Sequence, residues 1–259
     1  MLFDIGANLT QESFHDDLDQ VLADARSVDV QTIMVTGASL DGSREALELA
    51  QDKKHLFATA GIHPHHADQG DEAGLAVIAE LAQSDQVKAI GETGLDYFRD
   101  FSPRDLQRQS FERHIELAKQ LELPMFLHER DAYPDFFEQL LPHRQELSDV
   151  VVHCFTGNEA ALDAYLELDC YIGITGWICD ERRGQHLLPL VKKIPQDRLL
   201  IETDAPYLLP RTLKPKPKSR RNEPKYLPHI CNYIAQVLGV DPEGLAKQTY
   251  DNATRFFRL

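Results

Sequence analysis

The sequence predicts an α/β fold of the (β/α)8 TIM-barrel type, and three observations carry that expectation. Short apolar runs of strand length alternate with longer stretches of helical periodicity, the pattern of a parallel sheet with crossover helices. Eight such units fit within 259 residues, the count and the length of that barrel. No Pro, Gly or Ser linker and no low-complexity block divides the chain, so residues 1–259 read as one domain. A doubly wound open sheet is the competing arrangement, because periodicity does not distinguish a closed sheet from an open one.

The units run in order. Strand Leu2–Leu9 is followed by helix Asp16–Ser27, Thr32–Thr36 by Ser43–Lys53, Leu56–His63 by Glu72–Gln83, and Val87–Glu92 by Asp105–Leu121. Met125–His128 precedes Tyr133–Leu140, Val150–Phe155 precedes Ala160–Leu168, and Tyr171–Thr175 precedes Glu181–Lys193. After the last strand, Leu199–Thr203, come two amphipathic stretches, Leu227–Val237 and Pro242–Phe257. Each strand is rich in β-branched or apolar residues, and each helical stretch sets apolar positions along one face.

Composition excludes several classes. With 42% hydrophobic residues, 27 Lys and Arg, and 42 Asp and Glu, the chain has the make-up of a soluble globular protein of net charge −15. A membrane span needs about 18 consecutive apolar residues, and every apolar run is cut short by a charge. The chain opens Met1-Leu2-Phe3-Asp4 and reaches its first basic residue at Arg26, so neither a secretory nor a transit segment is expected, and the expected location is the cytoplasm. Cys154, Cys170, Cys179 and Cys231 have no metal-knuckle or redox spacing and read as free thiols.

In such a barrel the functional groups sit where strands end and βα loops begin. The strands carry Asp4, His63 in "AGIHPHH", Glu92 in "IGETGLD", His128 in "FLHER", His153 in "VVHCF" and Asp204 in "IETDAPY". Any one of these histidines is readily explained as a satisfied core residue. Six imidazoles and carboxylates at one rim instead point to a divalent metal centre. Glu92, His128 and His153 follow three consecutive strands and form the firmest ligand set. Asp204 reads as a further ligand or as the general base acting on water. His63 reads as a group that binds substrate phosphate or delivers a proton, whereas His65 and His66 read as solvated loop residues. Asp96 is expected to orient the Glu92 loop, or simply to cap a helix.

These residues also carry a family resemblance. The stretches "GIHPH", "GETGLD", "SPRDLQRQSF", "LPMFLHERDA", "HCFTG", "YIGITGW", "ERRG", "LLIETDAPYLLP" and "RRNEP" make the chain resemble the TatD-type metallo-dependent hydrolases over essentially its whole length. The resemblance implies a TIM barrel of the amidohydrolase type and a magnesium-dependent 3′–5′ exonuclease acting on single-stranded DNA and RNA, with a role in repair of oxidative DNA damage. It also implies ligand roles for Glu92, His128 and His153, with Asp204 and His63 completing the site. The expected cofactor is Mg2+, with Mn2+ or Zn2+ as alternatives. The expected partners are the nucleic-acid substrates alone, with no membrane, no obligatory protein partner and a monomeric state. One departure stands out: relatives in the wider family open with an H-x-H pair, and here "DIGANL" puts Gly6 and Asn8 in those places. The ion that such a pair would hold is therefore expected to bind weakly.

A phosphodiester substrate needs positive charge, and Arg211–Lys225 ("RTLKPKPKSRRNEPK") has seven basic residues and one acidic one. Placed just after Asp204, this segment reads as a phosphate clamp at the pocket mouth. Arg220 and Arg221 are the best phosphate ligands, since a guanidinium contacts phosphate bidentately, with Lys218, Lys214 and Lys216 adding a looser field. A solvated, proline-stiffened loop is the bland alternative. Arg182 and Arg183 adjoin the same rim, or pair with Asp180 and Glu181. Trp177, Tyr97, Phe98 and Tyr207 lie in βα loops, where aromatics either stack on unpaired bases or simply pack. Two other functions compete: an amidase, lactonase or aminoacyl-ester deacylase on the same barrel, and a non-enzymatic binder that has lost its chemistry with the H-x-H pair.

Overall fold

The computed structural model describes all 259 residues. Its strands are β1 Leu2–Ala7, β2 Val30–Val35, β3 Leu56–Ala60, β4 Val87–Asp96, β5 Met125–Arg130, β6 Val150–Val152, β7 Tyr171–Ile174 and β8 Leu199–Ile201. They form one sheet in the order β1 to β8, every neighbouring pair parallel. The seam between β1 and β8 closes at the carboxyl ends of the strands. There Asn8 N–H donates to Ala205 O at 2.7 Å and Asp204 N–H donates to Gly6 O at 2.8 Å. The closed barrel, not the open sheet, is therefore the fold.

The helices are α1 Leu18–Ser27, α2 Leu40–Asp52, α3 Glu72–Leu81, α4 Arg104–Leu121, α5 Tyr133–Leu140, α6 Glu159–Glu167, α7 Leu187–Leu190, α8 Leu227–Leu238 and α9 Pro242–Phe257. Capping side chains start four of them. Ser39, Asp71, Asn158 and Asp241 accept the backbone N–H of Gly42, Gly74, Ala161 and Gly244, which satisfies donors that a helix start leaves free. The expected helix Glu181–Lys193 is largely absent. Asp180 Oδ1 accepts from the backbone N–H of Arg182 and Arg183, and this local turn displaces the first helical turns so that only α7 and a 3-10 turn at Val191–Lys193 remain.

Two apolar layers position the site. Phe3, Ile5, Met34, Ala89, Phe126, Val151, Tyr171 and Leu200 fill the barrel interior, and Phe256 and Phe257 of α9 pack onto them. Because strand side chains alternate, positions two residues beyond these inward-facing ones also point inward at the strand ends. Val151 is thus followed by His153, Phe126 by His128 and Leu200 by Glu202. The larger cluster, including Val30, Ile33, Val35, Met125, Leu127 and Val152, packs the outside of the strands against the helices. Alternation also explains why Asp4 does not join the site, contrary to the sequence expectation. Flanked by inward-facing Phe3 and Ile5, it faces out of the barrel, where it is fully buried and accepts hydrogen bonds from Thr203 N–H (2.8 Å) and the Thr203 hydroxyl (2.5 Å). Burial pushes its pKa up to about 8.

Candidate active site

At the carboxyl ends of the strands, imidazoles surround one carboxylate oxygen. Glu92 Oε1 lies 2.7 Å from His153 Nε2, 3.1 Å from His128 Nδ1 and 3.5 Å from His63 Nε2. Burial favours the neutral acid at Glu92, but the neighbouring imidazoles outweigh it and hold the carboxyl well below the usual range. His153 is the converse: burial opposes its charge, and Glu92 and Glu202 on either side raise its pKa well above the ordinary value. Strand β4 runs four residues past Glu92 and ends in Asp96, whose Oδ2 is 2.8 Å from His65 Nε2 and 3.4 Å from His128 Nε2. Asp96 is itself fixed by the backbone N–H groups of Phe98 and Arg99, as a group that orients its neighbours must be.

The remaining expected residues take varied positions. His65, expected in solvent, is drawn into the cluster by Asp96, while His66 is exposed. His63 Nδ1 accepts the backbone N–H of His65 at 3.1 Å, so in the neutral ring the proton sits on Nε2, facing Glu92. Asp204 is not in the imidazole cluster: its one side-chain hydrogen bond comes from Asn8 Nδ2 at 3.0 Å. Burial, with the charges of Glu92 and Glu202, pushes Asp204 up to about 7. Arg220 and Lys218 are exposed on the basic loop. Arg221 is already occupied, bound through two nitrogens to Asp17 at 2.9 and 2.7 Å, with a further contact to Glu223 at 3.1 Å. Of the aromatics, Tyr97 donates to Asp135, and Trp177 packs under Arg130 and Arg183, whereas Phe98 and Tyr207 are 56% and 50% exposed.

Glu202 was not anticipated from sequence. It is fully buried, accepts the Cys154 N–H at 2.5 Å through Oε1, and sets Oε2 3.3 Å from His153 Nδ1. Gly6 and Gly173 make room for it, since a Cβ at either position would stand 2.5 or 2.6 Å from its oxygens. A side chain in place of Gly6 would displace the Glu202 carboxylate, which ties the absence of the first H-x-H imidazole to the presence of Glu202. The position of Glu202 two residues after inward-facing Leu200 was the signal available. Phe101, 67% exposed and with its ring centroid 4.8 Å from that of His65, was also missed.

The donors suit a divalent ion. His63, Glu92 and His128 offer ligand atoms within 4.8 Å of one another, as do His63, His65 and Asp96. His128 Nε2 is buried with no hydrogen-bond partner of acceptable geometry, although Asp96 is near, and such an orphaned nitrogen is what a metal ligand presents. The His153–Glu202 pair is the carboxylate–histidine arrangement that fixes a ligating imidazole.

Residues 3–258 match the family model of TatD-related DNases. The chain belongs to that family. It is 49% identical over its full 259 residues to the whole of a protein of Pectobacterium atrosepticum named 3′-5′ ssDNA/RNA exonuclease TatD. It is 46% identical to a Salmonella typhimurium protein of the same name, covering 100% of this chain and 99% of that one. Among solved structures, a TatD family hydrolase of Entamoeba histolytica superposes with a TM-score of 0.89 at 28% identity, covering 98% and 97% of the two chains. A TatD homologue from Escherichia coli k12, at 24% identity, a TM-score of 0.91 and coverage of 100% and 98%, shares the fold.

Proposed function

We propose that this protein is a metal-dependent 3′–5′ exonuclease of single-stranded DNA and RNA. The observation that carries the reading is the buried Glu92, His63, His128 and His153 cluster at the mouth of a TatD-family barrel. Glu92, His128 and His153 would hold the ion, with Glu202 orienting His153. A divalent ion, when bound, supplies the positive charge that neutralises the scissile phosphate and eases loss of a proton from water. Asp204, pushed up to about 7 and steadied at Oδ1 by Asn8, leaves Oδ2 to take that proton near neutral pH. His63 presents Nε2–H, a donor suited to a non-bridging phosphate oxygen. Mg2+ as the ion, the cytoplasm as the location, action as a monomer and repair of oxidised DNA ends are parts of the same reading.

The test is hydrolysis of single-stranded oligonucleotides labelled at the 3′ or the 5′ end, with Mg2+ and with chelator, for wild type and Glu92→Gln. The 3′ label should be released first, only with metal, and not by the variant. Wild-type protein inert on both DNA and RNA would overturn the proposal and direct attention to ester and amide substrates.

A further inference from the structure

One concavity of the molecule lies apart from the Glu92 cluster. It is an open groove of about 550 Å3 between the loops that follow β7 and β8, and Trp177, Arg182, Lys216 and Arg220 line it. Its two acidic residues are already matched by cations. Asp180 binds Arg183 at 2.9 Å, and Arg211 approaches Asp180 and Glu181 at 3.7 and 3.9 Å. Arg182, Lys216 and Arg220 form no ion pair, so three cations remain uncompensated in a protein of net charge −15.

A continuous set of contacts joins this groove to the candidate active site. Arg130 follows His128 by two residues on β5. Its guanidinium lies 4.8 Å from the Phe98 ring and 4.9 Å from the Trp177 ring, and Arg183 lies 4.2 Å from Trp177 on the groove side. Arg130 also donates to Thr156 Oγ1 at 3.3 Å, which fixes it from the loop after β6. With two guanidinium groups already against it, Trp177 serves as a support for cations and not as a stacking surface for a base.

We propose that this groove is a second binding subsite, which takes an internal phosphodiester of a single-stranded nucleic acid whose end lies at the Glu92 cluster. The inference rests on the exonuclease reading and extends it: recognition at the groove is of the backbone, and hence independent of base sequence. Unpaired cations in an open, solvated groove suit a flexible polyanion, and an uncharged substrate would have no use for them.

The test is the affinity of fluorescein-labelled (dT)8 for the intact protein in chelator, read by anisotropy over a range of NaCl. Charge reversal in the groove, Arg182→Glu with Lys216→Glu, should weaken binding at least tenfold. It should also flatten the slope of log Kd against log salt by about 1.4, the value for two lost single-strand phosphate contacts. The same charge change at exposed Lys54 and Lys192, at the opposite end of the barrel, should leave affinity within twofold. Arg182→Gln with Lys216→Gln serves if the reversed variant fails to melt like wild type. If groove and control variants bind alike while wild type still degrades the strand with Mg2+, the subsite falls alone. If wild type binds (dT)8 through the groove yet hydrolyses no nucleic acid, the exonuclease reading falls and the binding site stands.

Discussion

Glu202→Gln isolates what the buried carboxylate does for the site. Gln has the same shape, so the pocket left by Gly6 and Gly173 still accommodates it and its Oε1 still accepts the Cys154 N–H. The amide then turns an NH2 group toward His153 Nδ1, where Glu202 places an accepting oxygen at 3.3 Å. To accept from the amide, His153 must move its proton to Nε2, the nitrogen 2.7 Å from Glu92 Oε1 that would otherwise offer a lone pair to the ion. Loss of such an outer partner costs about 10–100-fold in metal affinity, or roughly 1.4–2.7 kcal/mol. Isothermal titration with Mn2+, without nucleic acid, measures it directly, and an unchanged melting curve would show that the barrel is intact. A Gln variant that binds the ion as tightly as wild type would refute both the tautomer argument and the assignment of His153 as a ligand.

Other perturbations follow from the same geometry. Asp4 has its pKa raised to about 8, so its neutral form is favoured by folding: its contribution is fully present below about pH 4 and is lost as pH rises toward 8. Asp4→Asn mimics the neutral acid, and its stability relative to wild type in urea unfolding should improve by up to about 1.4 kcal/mol per pH unit across that window; parallel pH profiles would refute this. Gly6→His should not restore a second ion site, because its Cβ alone meets Glu202 Oε2 at 2.5 Å; a loss of about 1–3 kcal/mol in denaturant unfolding is expected, and tighter metal binding in calorimetry would contradict it. Phe257→Ala empties part of the barrel floor and should cost about 3–5 kcal/mol in the same unfolding assay, with a loss below 1 kcal/mol counting against the packing described.

Much of the barrel was legible because parallel strands are buried on both faces and read as continuous apolar runs. Boundaries were less so. Strand β4 was expected to stop at Glu92, yet "ETGLD" continues pairing with β5 to Asp96. Glu92, His128 and His153 were readable from their place at the ends of apolar runs. Asp4 was misplaced because it was counted by proximity to a strand and not by the face it occupies, and the same two-residue alternation would have disclosed Glu202. Arg221 was not readable at all: its partner Asp17 lies 204 positions away, and nothing local signals that pairing. His65 changed role for a similar reason, since Asp96 reaches it across a neighbouring loop.

The β1–β8 seam has a kinetic consequence. It joins the strands most distant in sequence, so its closure carries the largest loop entropy of any pairing in the fold. Asn8 with Asp204 and Asp4 with Thr203 both span it, and Glu202 sits beside it against Gly6. A chain with all seven strand pairings of the sheet made and this edge open would retain the Glu92 and His128 side chains but have the proposed base and the anchor of His153 displaced. Amide exchange at Asn8 and Asp204 would therefore report the fraction of molecules competent for chemistry, and maturation of the site would coincide with the final stitch of the barrel.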